Sequence, residues 1–152
     1  MEPIWNSADS WKITPVRDYP AFLRALPDLV PEGSMLYIES GGLPPEDVRA
    51  YLEARQAEEG VKIGGGTILP TPNVYCMPIT RENVLGLAEL EEKHPAPIGA
   101  IHVHVYRAGK ILLMAYDAFM DPFWISREIP KDKVLAFCDR LGTRIEGDAE
   151  GV

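Results

Sequence analysis

The clearest pattern along the chain is a strict alternation of apolar and polar side chains around residue 103. Aliphatic residues alternate there with polar ring-bearing residues, in the order Ile101, His102, Val103, His104, Val105 and Tyr106. A repeat of two places successive side chains on opposite faces of an extended strand. A second apolar run, Ile111 to Tyr116, follows after four residues. The pattern therefore predicts a β-hairpin over about 99–117.

The two strands of this hairpin are joined by Arg107-Ala108-Gly109-Lys110. A two-residue type I′ turn needs a positive φ at both central residues, which alanine resists. We therefore predict a type I turn closed by a bulge at Gly109. In that register Val105 faces Ile111, Val103 faces Leu113 and Ile101 faces Ala115, so one side of the hairpin is wholly aliphatic.

The first half of the chain indicates two helices and two strands. A brief helix is predicted between Asp18 and Pro27, and a longer one from Pro45 to about Glu59, which begins with proline and acidic residues. Residues 34–39 read as a strand, and residues 11–13 as a short strand that Pro15 confines to an edge.

The second half contains one more short strand and two longer helices. Residues 74–77 form the strand, and Thr80 then caps a helix that runs to about Lys93. The buried stripe of that helix is Val84, Leu87, Ala88 and Leu90 or Glu91. The last helix follows Pro130 and has the i, i+3, i+4, i+7 spacing at Val134, Phe137, Cys138 and Leu141.

These elements predict an α+β fold of the α/β type. We expect a single mixed sheet of about four to six strands, with the hairpin at its centre and three main helices packed mostly on one face. The chain of 152 residues is predicted to be a single globular domain. Residues 1–18 would form an N-terminal arm, and residues 143–152 a frayed tail.

Charge and composition narrow the possible functions. The formal net charge is −8, which argues against nucleic-acid binding because that needs a basic surface. No apolar run is long enough for a membrane span, and the first residues do not resemble a secretory leader. The two cysteines, Cys76 and Cys138, are expected to be buried free thiols, which favours a cytoplasmic location.

His102 and His104 form the sharpest candidate for chemistry. Two imidazoles two positions apart on a strand share a face, which is one way to chelate a divalent metal such as zinc. A third ligand would come from Glu39, Tyr37, Asp117 or Asp121. No other metal-binding motif accompanies the pair, so no cofactor is otherwise predicted. The alternatives are a catalytic use without metal and a purely structural one.

The polar side of the hairpin is also a candidate binding surface. With its neighbours it would gather aromatic and histidine side chains typical of interaction surfaces, namely Tyr37, His102, His104, Tyr106, Tyr116, Phe123 and Trp124. The alternative is that the N-terminal arm, with Trp5 and Trp11, covers this face.

The sequence does not establish whether the chain is an enzyme. The preferred hypothesis is a non-enzymatic acidic domain that binds and neutralises a basic protein partner, as an immunity protein does to a toxin. This rests on an analogy of size and charge. The alternative hypothesis is a small hydrolase or metal-dependent enzyme that uses His102 and His104 with a nearby carboxylate.

Overall fold

The computed structural model describes residues 9–40, 44–56, 73–94, 100–115 and 121–147. These residues form six strands: β1 (Ser10–Ile13), β2 (Met35–Ser40), β3 (Asn73–Pro78), β4 (Ala100–Arg107), β5 (Lys110–Ala115) and β6 (Phe123–Ser126). They also form four helices: α1 (Tyr19–Leu29), α2 (Glu46–Ala54), α3 (Arg81–Glu92) and α4 (Lys131–Leu141).

The six strands make one sheet in the order β1-β6-β5-β4-β2-β3. The predicted fold class, α+β with one sheet and a central antiparallel hairpin, is confirmed. Two details differ from the prediction. Every neighbouring pair of strands is antiparallel rather than mixed. The helix predicted between Asp18 and Pro27 begins at the expected Asp18 cap but continues through Pro27 to Leu29.

One face of the sheet and all four helices share the main hydrophobic core. Each helix contributes a buried stripe, and three rings meet edge to face between α1, β6 and α4, at Phe22, Phe123 and Phe137. The other sheet face carries a separate small cluster around Tyr37, Cys76 and Tyr106. No helix among the described residues has the length and apolar character that crossing a membrane requires.

The hairpin turn differs from the predicted one. Arg107 pairs with Lys110, and the two residues between them both have positive φ, +51° at Ala108 and +80° at Gly109. These are the features of a two-residue type I′ turn. The predicted type I turn with a bulge at Gly109 is therefore wrong, since Ala108 adopts the strained conformation.

A bulge does occur, but it lies inside β5. Tyr106 pairs with Ile111 while Val105 pairs with Leu113, so Leu112 has no residue opposite it. The predicted register is therefore wrong by two residues along β5. The predicted separation of faces survives in part: Val103, Val105, Leu113 and Ala115 belong to the core shared with the helices, whereas Ile111 pairs with Tyr106 on the other face.

The edge strand β1 is held on both sides. It pairs with β6, and Ile13 forms a bridge with Ile145. The Thr14 N–H donates to the Arg144 carbonyl at 2.9 Å, and the Glu146 N–H donates to the Lys12 carbonyl at 2.7 Å. Residues 143–147 of the expected frayed tail thus cover the sheet edge, which protects it from pairing with other chains.

Helix α2 is fixed to α3 by one tyrosine. The Tyr51 hydroxyl donates to the Asn83 carbonyl at 2.8 Å, and its ring lies so close to Gly86 that a Cβ at that position would overlap the ring. The absence of a side chain at Gly86 therefore allows α2 to approach α3. This contact also brings the start of α2 near the end of α3.

The strained turn residue gives a testable prediction. Replacing Ala108 with glycine is expected to raise the free energy of unfolding by about 1 kcal/mol, because glycine adopts positive φ without steric penalty. The matched change Gly109→Ala is expected to lower it by a similar amount. Urea denaturation of both variants measures the two effects. A loss of stability in Ala108→Gly would contradict the type I′ turn.

Candidate functional site

The sheet face away from the helices brings together most of the predicted site. Strand registers align one row of side chains across all six strands: Cys76, Tyr37, His104, Met114, Trp124 and Lys12. His102 lies in the neighbouring row, opposite Glu39. The prediction that Tyr37, His102 and His104 share a face is confirmed by these pairings.

Three residues of the predicted binding surface are buried rather than exposed. The exposed fractions are 4% for Tyr37, 2% for His104 and 4% for Tyr106. One reason is ring stacking along the face: the Tyr37 and His104 centroids are 5.5 Å apart, and those of His102 and His104 are 6.2 Å apart. The fold therefore buries these three side chains, and a role for them in partner binding stays a prediction.

Burial also decides the charge of His104. Desolvation, assisted by the nearby His102, lowers the pKa of the His104 imidazole to about 3. The ring is therefore neutral at physiological pH. A neutral imidazole suits a structural role in the stack, and it is also the form that binds metals.

Glu39 is the carboxylate that the fold brings to the histidine pair. Its Oε2 lies 3.8 Å from His102 Nε2, and its Oε1 accepts a hydrogen bond from the Tyr37 hydroxyl at 3.1 Å. Both side chains are partly exposed, with 23% of His102 and 17% of Glu39 accessible. Across the described ranges, however, no three His, Cys, Asp or Glu side chains are grouped so as to hold a metal ion.

The remaining predicted residues are dispersed. Phe123 points to the helix side and packs against Phe22 and Phe137, so its assignment to the surface was wrong. Trp124 is half-buried on the opposite face, with the Lys12 ammonium 5.6 Å from its ring. Asp121 is exposed. Trp5, Tyr116 and Asp117 lie outside the described residues.

A second candidate site lies where α3 ends beside the start of α1. Its cleft has a volume of about 350 Å³ and is lined by Arg17, Asp18, Tyr19, Pro20, Glu91, Glu92 and His94. Two of these residues end α3 and His94 follows that helix, while two precede α1 and two begin it. Sequence reasoning did not identify this cleft, because its residues come from segments 70 or more positions apart.

An Asp–His pair links α2 to this cleft. His94 Nε2 lies 2.9 Å from Asp47 Oδ1, and the His94 N–H donates to the Glu91 carbonyl at 3.0 Å. Desolvation raises the pKa of Asp47, but the hydrogen bonds from His94 and from the Val48 N–H lower it by more, so the pKa is lowered overall. The carboxylate therefore stays ionised and orients the imidazole.

Glu91 has the most unusual environment in the cleft. Burial raises the pKa of its carboxyl to about 7, with the charge of His94 opposing the rise and that of Asp47 adding to it. Buried Tyr19 lies on the other side, where desolvation and then Glu91 raise the pKa of its phenol well above its usual range. A carboxyl that exchanges its proton near neutral pH, in a cleft, is typical of functional sites.

One signal in the sequence did point to Glu91. It completes the i, i+3, i+4, i+7 spacing with Val84, Leu87 and Ala88, all three of which are buried. An acid on the buried stripe of a helix is unusual, because an ionised carboxylate is costly to desolvate.

Comparison with known proteins does not assign either site. The chain matches no protein-family model, no curated protein and no solved structure. The functional argument therefore depends on the geometry and chemistry of the described residues.

The raised pKa of Glu91 predicts a pH-dependent stability. The folded state keeps this proton up to about pH 7, whereas the unfolded chain loses it near pH 4.5. Stability is therefore full below that lower value and declines as the pH rises through 7. After allowance for partial solvent screening, we expect a loss on the order of 2 kcal/mol between pH 5 and pH 8.

Glu91→Gln tests this expectation, because the amide keeps the shape and cannot ionise. Urea denaturation across this pH range should show a much flatter profile for Glu91→Gln than for the wild type. Glu89→Gln, an exposed change in the same turn, is the matched control and should keep the wild-type slope. If the free energy of unfolding changed equally with pH in all three proteins, the raised pKa would not belong to Glu91.

Proposed function

We propose that this chain is an acidic binding domain for a basic protein partner, and that the partner contacts the solvent-facing side and C-terminal end of α3. The observation that carries the proposal is the pair of exposed carboxylates, Glu82 and Glu89, on the solvent-facing side of α3. By masking a basic surface on its partner, such a domain would neutralise it.

The charges at this helix end are locally unfavourable. The C-terminus of a helix carries the negative end of the macrodipole, so acidic residues there destabilise by a few tenths of a kcal/mol each. The last turn of α3 contains no basic residue. Glu92 is compensated by an ion pair with Arg24 of α1. Among the described residues, Glu89 has no such partner. The unfavourable interaction between Glu89 and the helix dipole is therefore not offset by an ion pair. A residue that lowers the stability of its own helix in this way is more readily explained by a role in function.

An exposed leucine lies within the same surface. Leu85 is 39% exposed, and Glu82 and Glu89 lie three residues before it and four after it, on the same side of α3. An apolar side chain with carboxylates on both sides fits a partner that presents lysine or arginine around a small apolar contact.

Helix α4 has the same arrangement with a different charge balance. Its second, fifth and ninth residues are Asp132, Leu135 and Asp139, which match Glu82, Leu85 and Glu89 of α3. However, α4 carries two acidic and three basic side chains, whereas α3 carries four acidic and one basic. The difference in charge is the reason for assigning the partner to α3.

We also propose a cytoplasmic location. The support is limited to the cysteines, since Cys76 and Cys138 are both buried and free. Burial raises the pKa of the Cys138 thiol to about 11, so it resists oxidation. Free thiols of this kind are common in a reducing compartment.

Charge reversal tests the proposed surface. The immobilised full chain is incubated with an extract of its own source cells, and bound proteins are identified by mass spectrometry. A basic partner is expected, released above about 0.3 M salt as screening increases. Glu82→Lys with Glu89→Lys should reduce its recovery at least tenfold.

The matched control is Asp132→Lys with Asp139→Lys, which makes the same change in net charge at the same positions of α4. It should retain the partner. Equal losses in both double variants would show that only net charge matters, and undiminished recovery with the α3 variant would exclude this surface. Thermal unfolding confirms that each variant is folded.

A second candidate function is metal-dependent catalysis at the histidine pair. Two observations favour it: Glu39 lies opposite His102 on the neighbouring strand, and His104 is held neutral. Two imidazoles and one carboxylate are ligand types that zinc accepts, although in the described residues these side chains are not grouped closely enough to hold the ion and would have to move to bind it.

Zinc binding distinguishes the two candidates. If this site binds zinc, a concentration of about 100 times the dissociation constant should raise the melting temperature by roughly 5 °C. His102→Ala should abolish that shift, and His94→Ala, which removes an imidazole elsewhere, should preserve it. No shift in the wild type, together with no metal by elemental analysis, would end the zinc hypothesis.

A further inference from the structure

A second cleft, distinct from the acidic end of α3, lies between the hairpin turn and the start of α4. Its volume is about 450 Å³, within the range of small-molecule sites. Its apolar lining includes Leu29, Leu112 and Ile129, all of which are buried. Three cations, Arg107, Lys110 and Lys133, also line it.

Both irregular features of the hairpin border this cleft. Leu112, the bulge residue, belongs to the core on the helix side, whereas Met114 lies on the opposite face with His104. The bulge thus turns Leu112 into the cleft wall. Ala108, which has the strained positive φ, is also a lining residue. Strained backbone and bulges are both concentrated at functional sites.

The charge of this cleft is opposite to that of the chain as a whole. Glu128 is the only acidic side chain in the lining, and it already pairs with Lys110 at 3.1 Å. Within the described segments, neither Arg107 nor Lys133 is paired with a carboxylate. Arg107 donates from Nε to the Glu32 carbonyl at 2.6 Å, which fixes the guanidinium and leaves its two terminal nitrogens for another acceptor.

We propose that this cleft binds a small amphipathic carboxylate, with the head group at Arg107 and Lys133 and an aliphatic body against Leu29, Leu112 and Ile129. The positive rim selects the anion, because a guanidinium matches the two oxygens of a carboxylate. The apolar wall selects a hydrocarbon body over a bare anion. This site is independent of the proposed acidic surface on α3.

Octanoate is a suitable probe. Titration at pH 7 in low salt, followed by the methyl NMR signals of Leu112 and Ile129, should give saturable shifts with a dissociation constant below about 1 mM. Acetate supplies the head without the body and 1-octanol the body without the head, so both should bind at least tenfold more weakly.

Variants assign the head-group contacts. Lys133→Gln is expected to weaken octanoate binding several-fold, and its combination with Arg107→Gln at least tenfold. Lys93→Gln makes the same charge change at the end of α3 and should have no effect. Charge reversal at Glu82 and Glu89 should also leave octanoate binding intact, which separates this proposal from the function proposed above.

Each opposite result overturns the proposal. Absence of saturable shifts up to 10-fold above the expected constant would exclude the site. Equal binding of 1-octanol, or no weakening in the Lys133→Gln and Arg107→Gln proteins, would exclude the cationic head-group site. Equal binding of acetate or inorganic phosphate would reduce it to a simple anion contact.

Discussion

The fold depends on one constraint in the central hairpin, namely that the aliphatic sides of β4 and β5 must face the same way. A two-residue turn without a bulge would place Leu113 opposite His104 and would mix the two faces. The extra residue Leu112 restores the match of Val105 with Leu113, and the four helices then cover a continuous apolar surface. The two-residue turn and the bulge together therefore set the observed register of β4 and β5.

This constraint also explains why the polar face of the sheet is not the open surface that its composition indicates. His104 is aligned with Tyr37 and Met114 in mid-sheet, and its ring stacks with those of Tyr37 and His102. The neutral state of His104 follows from that position. Exposed charged side chains lie instead on the helical layer. There α3 concentrates carboxylates at its end, and the hairpin turn helps to form a cationic cleft.

Much of the architecture was predictable because alternation and helical spacing report directly on burial. The strand faces, the capped start of α3 at Thr80 and the left-handed glycine that ends α4 all follow from local chemistry. The turn was not predictable from local preference. A positive φ at alanine costs only about 1 kcal/mol, and the free energy gained by packing the aliphatic faces against the helices is larger. Phe123 was misplaced because its aromatic character alone placed it in the binding surface, whereas β6 directs its ring toward the helices.

The clefts were missed for a different reason. Each is assembled from residues distant in sequence, and Glu91 gave the only local signal, as an acid on a buried stripe. The central claim is that burial raises the pKa of this carboxyl to about 7. The most direct measurement is an NMR titration of the Glu91 side-chain carboxyl carbon. A midpoint near pH 7 is expected from its burial between Tyr19, Asp47 and His94, and a midpoint near 4.5, the ordinary value, would contradict the account.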